Sequence, residues 1–394
     1  MWTFLNPENT SGREVALRNV IEKYEANHPG VDIVVEPQDW ATMTEKFVLS
    51  HSANRAPDII WSAQDLGLLV NSGAVTSLNP YLADWLAEND DDLLFDNAYD
   101  NATYDGELMA VPLFPYSVLV FYRKDHFAQV GLTEDDLDTW DGFAAAVKKL
   151  QDAGLPGLLL PLSEDKPSST IATTAYMDLN DGHLLAEGCV ADFATDIGVQ
   201  ALTLQTDMIK SGLISQEAVA RTNDDAWDLF IGGRGSIVPQ TSARAGALLS
   251  SSDWANEETV GIVPWPSFTT DHHGPSVGAS WQVSLWSGSQ NKEEASDFMA
   301  FMASEEGAKE WAVTGEQLPL RASVANLPEL SGGVFALNQA ASEALNETGR
   351  FPRPGCAESS TMGDWNRAAQ DVLLNGISPV DALQEATDST NRRQ

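Results

Sequence analysis

The sequence predicts a two-lobed α/β protein, each lobe a mixed sheet flanked by helices, with a hinge and an interlobe cleft. Three observations predict it. Strand-like and helix-like segments alternate along the chain, the order that βαβ units produce. The chain has 394 residues, more than the roughly 250–300 at which a single hydrophobic core stops growing. Extended segments marked by proline recur near 111–113, 264–266 and 317–321, where the chain is expected to pass between lobes and where fixed backbone angles suit a hinge. The expected lobes are residues 1–112 with 266–317, and 113–265 with 318–394.

In chain order, Trp2–Leu5 and Val31–Glu36 read as strands flanking a helix over Gly12–Asn27. In that helix Val15, Leu17, Val20, Ile21 and Tyr24 recur at helical spacing. Pro29-Gly30 turns the chain into the second strand. Trp40–Asn54 reads as helical and Ile59–Trp61 as a third, buried strand, so a mostly parallel sheet is expected at this end. Val111–Tyr122 is a long apolar strand. Thr139 offers an N-cap hydroxyl to a helix over Gly142–Ala153, which Gly154 and Pro156 stop. Further helices are expected at Gly198–Ser211, Ala226–Ile231, Lys292–Ser304, Asp364–Leu374 and Pro379–Ala386. Strands are expected at Ser236–Val238, Val260–Pro264 and Trp281–Trp286, with a return crossover over Thr314–Arg321.

Charge narrows the function. Fifty-eight acidic residues against 22 basic ones give a net charge of −36. Such a field repels nucleic-acid phosphates and anionic lipid headgroups, so no nucleic-acid or membrane-surface partner is expected. The acids are spread along the chain, as in a protein kept soluble by its composition. No run of 18 apolar residues is present. The chain opens directly on a strand with no apolar signal core, so either the protein is cytosolic or the sequence is a trimmed mature form, and an initiator Met fused to a strand favours a trimmed export leader. Cys189 and Cys356 are the only cysteines. They form either one disulfide closing a very long loop or two separate buried thiols.

Catalytic signatures are scarce. The chain has no G-x-S-x-G elbow, P-loop, H-E-x-x-H or G-x-G-x-x-G, and no enzyme activity, cofactor or metal is expected. His272-His273 lacks the ligand spacing of a zinc site. Asp178-Leu-Asn180-Asp181-Gly182 has its glycine one position early for a calcium loop and reads as an Asp-Gly turn. Tryptophan is more informative, since 12 occur in the chain and an indole stacks on the apolar face of a sugar ring. Trp40, Trp281 and Trp365 are candidates, whereas Trp61, inside an apolar run, reads as core. Trp281 follows Gly278-Ala279-Ser280, small residues that let a ligand approach the backbone, and Ser280 joins it as a candidate. Polar groups at strand ends complete the set: Asn6 and Glu8 after the first strand, Gln64 and Asp65 after the third, and Gln240 after Ser236–Val238. Asp65 serves equally as a helix cap. Arg244, one of 22 basic residues, is a candidate to take an anionic ligand group if it faces the cleft, the alternative being a surface position.

Several segments together resemble the family 1 extracellular solute-binding proteins of carbohydrate ABC importers, the family that includes maltose-binding protein. They are APDIIWSAQDLGLLVNSGAV, YDGELMAVPLFPYSVLVFYRKDHF, TWDGFAAAVKKL, DLFIGGRGSIV and GASWQVSLWSGSQNKEEASDFMAFMASEEGAKEWAVTGEQLPLR. The resemblance implies the type II periplasmic-binding-protein fold and closure of the lobes on a sugar. It also implies delivery to permease subunits in the membrane by a monomeric, extracytoplasmic receptor, either periplasmic or lipid-anchored. It carries ligand contact to Gln64, Asp65 and Tyr116. Where many relatives have tryptophan shortly after the glycine-rich segment, this chain has Gln240-Thr241-Ser242-Ala243-Arg244, which points away from long α-glucans and towards a short oligosaccharide. The alternatives are an anionic sugar derivative, a phosphate or sulfonate held by Arg244, and a carbohydrate-cleaving enzyme.

Overall fold

The computed structural model describes residues 1–40, 42–62, 66–95, 98–165, 167–352, 356 and 358–393; Gln64 and Asp65 lie outside the described residues. Strand β1 (Trp2–Thr3) runs parallel to both β2 (Glu36–Pro37) and β3 (Ile59–Ser62), with Trp2 opposite Glu36 and Ile60. Between them α1 (Gly12–Asn27) buries Ala16, Leu17, Val20, Ile21 and Tyr24, the stripe that 3.6-residue periodicity turns inward. The helix α2 (Met43–Ser52) starts later than its apolar pattern suggests, because Thr42 takes the N-cap position. Then come α3 (Leu66–Asn71), α4 (Asn79–Asn89) and a two-strand hairpin, β4 (Thr103–Tyr104) with β5 (Glu107–Leu108). All thirteen residues of β6 (Val111–Arg123) are buried, as a nearly unbroken apolar run requires.

Helices α5 (Lys124–Val130), α6 (Trp140–Asp152), α7 (Ile171–Leu179), α8 (Asp196–Lys210) and α9 (Asn223–Ile231) follow. Thr139 caps α6 as expected, its hydroxyl accepting from the Gly142 N–H at 3.1 Å. Next are β7 (Ile237–Thr241), α10 (Ala245–Ser251), β8 (Val260–Val263) and β9 (Ser276–Leu285). The chain ends through α11 (Lys292–Met302), α12 (Glu305–Lys309), α13 (Ala322–Ala325), α14 (Val334–Thr348), β10 (Gly349–Arg350), α15 (Glu358–Gln370) and α16 (Pro379–Arg393).

Two compact units result. One combines Met1–Tyr116 with Ala279–Ser331; the other combines Ser117–Gly278 with Gly332–Pro352 and Cys356–Gln394. In the first, β9 adds to the three parallel strands antiparallel to β3, Trp61 opposite Val283. In the second, β6 pairs antiparallel with both β7 and β8, and β10 lies parallel to the start of β9. The sheets are therefore mixed, with parallel pairing among β1, β2 and β3 and between β10 and β9. The pairing of β6 with β7 begins at Val118, past Pro112 and Pro115, which have no N–H to give to a ladder.

Each unit has its own core. Leu17, Phe47, Ile60, Trp61, Phe114 and Phe298 anchor the first, and Phe143, Leu160, Tyr176, Phe193, Leu202 and Trp365 the second. The chain changes unit inside β6, inside β9 and again after Ser331, each later than proline positions suggest. The segment 314–321 is not a crossover. The Leu94 N–H donates to the Leu320 carbonyl at 2.9 Å, and the fully buried Arg321 donates to Ala303 and Asn89, all within the first unit. Gly278 ends the second unit's share of β9, and a Cβ there would stand 2.8 Å from Leu345 Cδ1. Among the described residues no helix is long and apolar enough to cross a membrane.

Candidate ligand-binding residues

In the first unit β9 alternates its side chains, as a strand must. Ser280 and Gln282 are fully buried while Trp281, on the other face, is half-buried. The Trp281 ring packs on Phe4 at 4.6 Å and on Tyr116 at 5.7 Å between centroids. Phe4 meets Trp61 edge-on at 6.3 Å, and Trp61 meets Phe114 and Trp311. An aromatic run thus leads from the partly open Trp281 down to the fully enclosed Trp61, which is core as the sequence suggests. The indole N–H of Trp281 and the hydroxyl of Ser280 are both buried, and neither has a hydrogen-bond partner among the described residues. The core indoles of Trp61, Trp140 and Trp365 share this feature, so what distinguishes Trp281 is its partial exposure. Phe4 was not singled out from the sequence. Its signal was the two-residue step from Trp2 at the start of a strand.

The loop after β1 is built around Glu14. Its carboxylate accepts from the N–H groups of Asn6 and Ser11, the Ser11 hydroxyl and the Asn9 amide. Burial opposes the charge, but the hydrogen bonds from Ser11, Asn9 and Asn6 prevail and hold this carboxyl below its ordinary value. Asn6 uses its side-chain oxygen to accept from the Glu8 N–H at 3.0 Å, a local turn, and Glu8 is exposed. The Arg13 guanidinium lies 5.5 Å over Phe4. Trp40, 46% exposed, stands on the turn before α2.

In the second unit the end of β7 is tied inward. Gln240 is fully buried, its amide oxygen accepting from the Thr241 N–H at 2.8 Å and from the Asn223 amide at 3.3 Å. The Ser242 hydroxyl accepts from the Ser117 N–H at 3.2 Å. These groups shape the strand end, so Gln240 positions others here. Arg244 forms an ion pair with Asp224 and lies 5.8 Å over Trp227; its charge is already matched by a neighbour at the start of α9. Trp365 requires a correction. It is fully enclosed in the core between Tyr176 at 5.1 Å and Phe193 at 5.2 Å, because α15 turns that position onto α7. Cys189 and Cys356 form a disulfide, 167 residues apart in sequence. Asp178 lies in the last turn of α7 and residues 180–182 form the turn that follows it, with Asp181 and Gly182 both at positive φ. Among the described residues no cluster of His, Cys, Asp and Glu could hold a metal ion.

Comparison with known proteins gives this geometry a family. The model of the bacterial extracellular solute-binding proteins matches residues 9–309. A galactooligosaccharide-binding protein of Bacillus subtilis (strain 168) is 21% identical over 394 residues, covering 95% of this chain and 85% of that protein. Among solved structures, a solute-binding protein from Thermotoga lettingae bound with α-D-tagatose superposes with a TM-score of 0.80 at 20% identity, covering 96% of this chain and 95% of that one. The cyclic α-maltosyl-1,6-maltose binding protein from Arthrobacter globiformis gives 0.78 at 21%, covering 99% and 97%. The matched family model spans most of the chain, and the chain belongs to the bacterial extracellular solute-binding proteins, with the mixed α/β fold of type II periplasmic-binding proteins.

Proposed function

We propose that this protein is the capture component of an ABC importer, which binds a neutral carbohydrate outside the cytoplasm and hands it unchanged to a membrane permease. The observation that carries the reading is Trp281, half-buried on Phe4 and Tyr116 as an aromatic platform on β9, with an indole N–H that has no partner among the described residues. A partly exposed indole offers a sugar ring a flat apolar face, and its N–H offers a sugar oxygen a partner. Sugar ligands of the tagatose-bound and maltosyl-maltose-binding proteins, and of the galactooligosaccharide-binding relative, support the class. In this reading Trp281 and Tyr116 form the carbohydrate platform, and Ser280, Trp40, Asn6, Glu8, Gln64 and Asp65 remain secondary candidates. The receptor works as a monomer, free in a periplasm or lipid-anchored at the outer face of the cell membrane.

The anionic-sugar alternative loses ground to the pairing of Arg244 with Asp224 and to the net charge of −36. Titration of intrinsic tryptophan fluorescence against mono-, di- and trisaccharides, polyols and sugar phosphates tests the reading. Saturation with one neutral sugar, insensitive to salt and lost in Trp281→Ala, is the expected result. A response confined to sugar phosphates would replace it with the anionic reading. Release of smaller products from a labelled oligosaccharide would replace it with an enzyme.

A further inference from the structure

We propose that His272 and His273 form a proton-operated clasp, fastening the loop that leads into β9 to three other elements of its unit and loosening as pH rises above neutrality. The geometry is unusual because both ring nitrogens of both imidazoles face carboxylates. His272 places Nε2 2.9 Å from Asp178 Oδ1 and Nδ1 3.1 Å from Asp271 Oδ1. His273 places Nδ1 2.8 Å from Glu347 Oε1 and Nε2 3.4 Å from Asp138 Oδ1. A neutral imidazole has one N–H and one lone pair. It would satisfy one carboxylate and turn its lone pair on the other. Only the imidazolium donates to both.

The neighbours leave no better arrangement for a neutral ring. The Thr269 hydroxyl, 3.2 Å from His272 Nδ1, gives its single proton to Asp271, so towards the ring it acts as an acceptor. The Ser267 hydroxyl, 3.1 Å from Nε2, donates to Asp178 Oδ2 at 3.0 Å. Asp178 is almost fully buried and also accepts from the Phe268 N–H at 3.0 Å, so its side chain is held in place. Asp178 lies on α7, Asp138 precedes α6, Glu347 lies on α14, and Asp271 is on the loop itself. A cavity of about 260 Å³ opens beside both rings, lined also by Asp181 and by Arg350 of β10. Arg350 is the one cation among these facing groups and opposes protonation; the five carboxylates outweigh it.

Both imidazoles accordingly have pKa values raised above the ordinary value. For His272 the bond to Asp178 leads, and for His273 the carboxylates Glu347 and Asp138 overcome a larger opposing effect of burial. A group whose folded-state pKa is raised contributes stability that is complete below about 6.5, the unfolded value, and is lost as pH rises through the folded value. The clasp is therefore closed in acid and opens on the alkaline side. Its loop continues directly into Ser276 and on along β9 to Ser280 and Trp281.

Imidazole nitrogen NMR of the full chain across about pH 5.5–9 reads the two rings directly. Both are expected to remain doubly protonated past the unperturbed midpoint of about 6.5, and amide exchange over residues 269–277 is expected to quicken as they titrate. Thermal unfolding supplies the second measurement. Between about pH 6 and 9 the melting temperature of the native chain should fall relative to the His272→Asn/His273→Asn double variant. A drop of roughly 3–5 °C corresponds to a tenfold loss in the folding constant for a unit of this size. The difference cancels other groups that titrate in this window. Ring midpoints at or below the unperturbed value would overturn the proposal, and so would parallel pH profiles for the native and variant chains. If the double variant does not fold, the ring titrations of the native chain decide alone.

Discussion

Arg321 is the side chain whose replacement should damage the first unit most. It is fully buried, and no acidic partner is found for it among the described residues. Nε donates to the Ala303 carbonyl at 2.9 Å and Nη1 to the Asn89 carbonyl at 2.8 Å, while the guanidinium lies 5.2 Å over the Trp85 ring. Ala303 is the C-cap of α11 and Asn89 is the last residue of α4. The charge is thus balanced by the negative ends of two helices and by their unpaired carbonyls. Arg321→Met keeps the stem and much of the volume but removes both bonds. Each bond to a charged group is worth about 1.5–3 kcal/mol, and the ring contact adds about 0.5–2. The carbonyls regain part of this by hydrating, which leaves a net loss of about 3–5 kcal/mol. Urea unfolding followed by tryptophan fluorescence measures it, with Arg321→Lys as a control that supplies one point charge and cannot reach both carbonyls in a fork. A loss below about 1 kcal/mol in Arg321→Met would refute the argument that helix ends stand in for a counter-ion.

Trp281→Ala should weaken binding of the cognate sugar by about 1–3 kcal/mol, from lost stacking and lost buried area; unchanged affinity by calorimetry would remove Trp281 from the site. Glu14→Gln should cost about 0.5–2 kcal/mol, as loss of an N-terminal cap does. Because the Glu14 pKa is lowered on folding, its contribution is present above the unfolded value and lost as pH falls through the folded one; a pH series of melting curves on the native and Gln chains shows whether the difference closes in acid. Replacing Cys189 and Cys356 together by serine should destabilise the second unit by about 5 kcal/mol on chain-entropy grounds, since the bond closes a loop of 167 residues' separation. Equal denaturation midpoints with and without the disulfide would contradict it.

What could be read from the sequence depended on how local its cause was. The helix over Gly12–Asn27 and the cap at Thr139 are written in spacing and hydroxyl chemistry, and both are present with those residues. The buried strand at 111–123 shows as an apolar run. The expected strand at 31–36 shrinks to Glu36–Pro37, because pairing depends on β1, which is itself only two residues long. Helices α7 and α14 were not anticipated. Their Thr- and Ala-rich segments have weak helical stripes and are stabilised by packing, as where Gln205 accepts from the Ala172 N–H at 3.0 Å. Tertiary partners likewise decided Trp365, whose enclosure depends on Tyr176 and Phe193. The unpartnered atoms of Ser280 and Trp281 could not be read at all, since satisfaction of a polar group is a property of the fold.

The chemistry of the basic residues bears on the ligand more directly than the net charge does. With 22 basic residues against 58 acidic ones, a free cation would be the signature of an anion site. The more buried arginines are engaged elsewhere. Arg123 forks onto Asp125 at 2.7 and 2.5 Å and lies 3.9 Å over Trp254. Arg221 reaches Glu217 at 3.3 Å, Arg244 pairs with Asp224, and Arg321 binds two helix ends. Each holds together segments of its own unit. Recruiting Arg321 to an anionic ligand would strip a partner from two buried or half-buried carbonyls, a cost of about 1–3 kcal/mol before any gain, whereas breaking the pairs of Arg221 and Arg244 with exposed carboxylates costs at most about 1 kcal/mol. A neutral sugar imposes no such exchange. It needs an aromatic face and polar partners, and the half-buried Trp281 on Phe4 and Tyr116 offers the face.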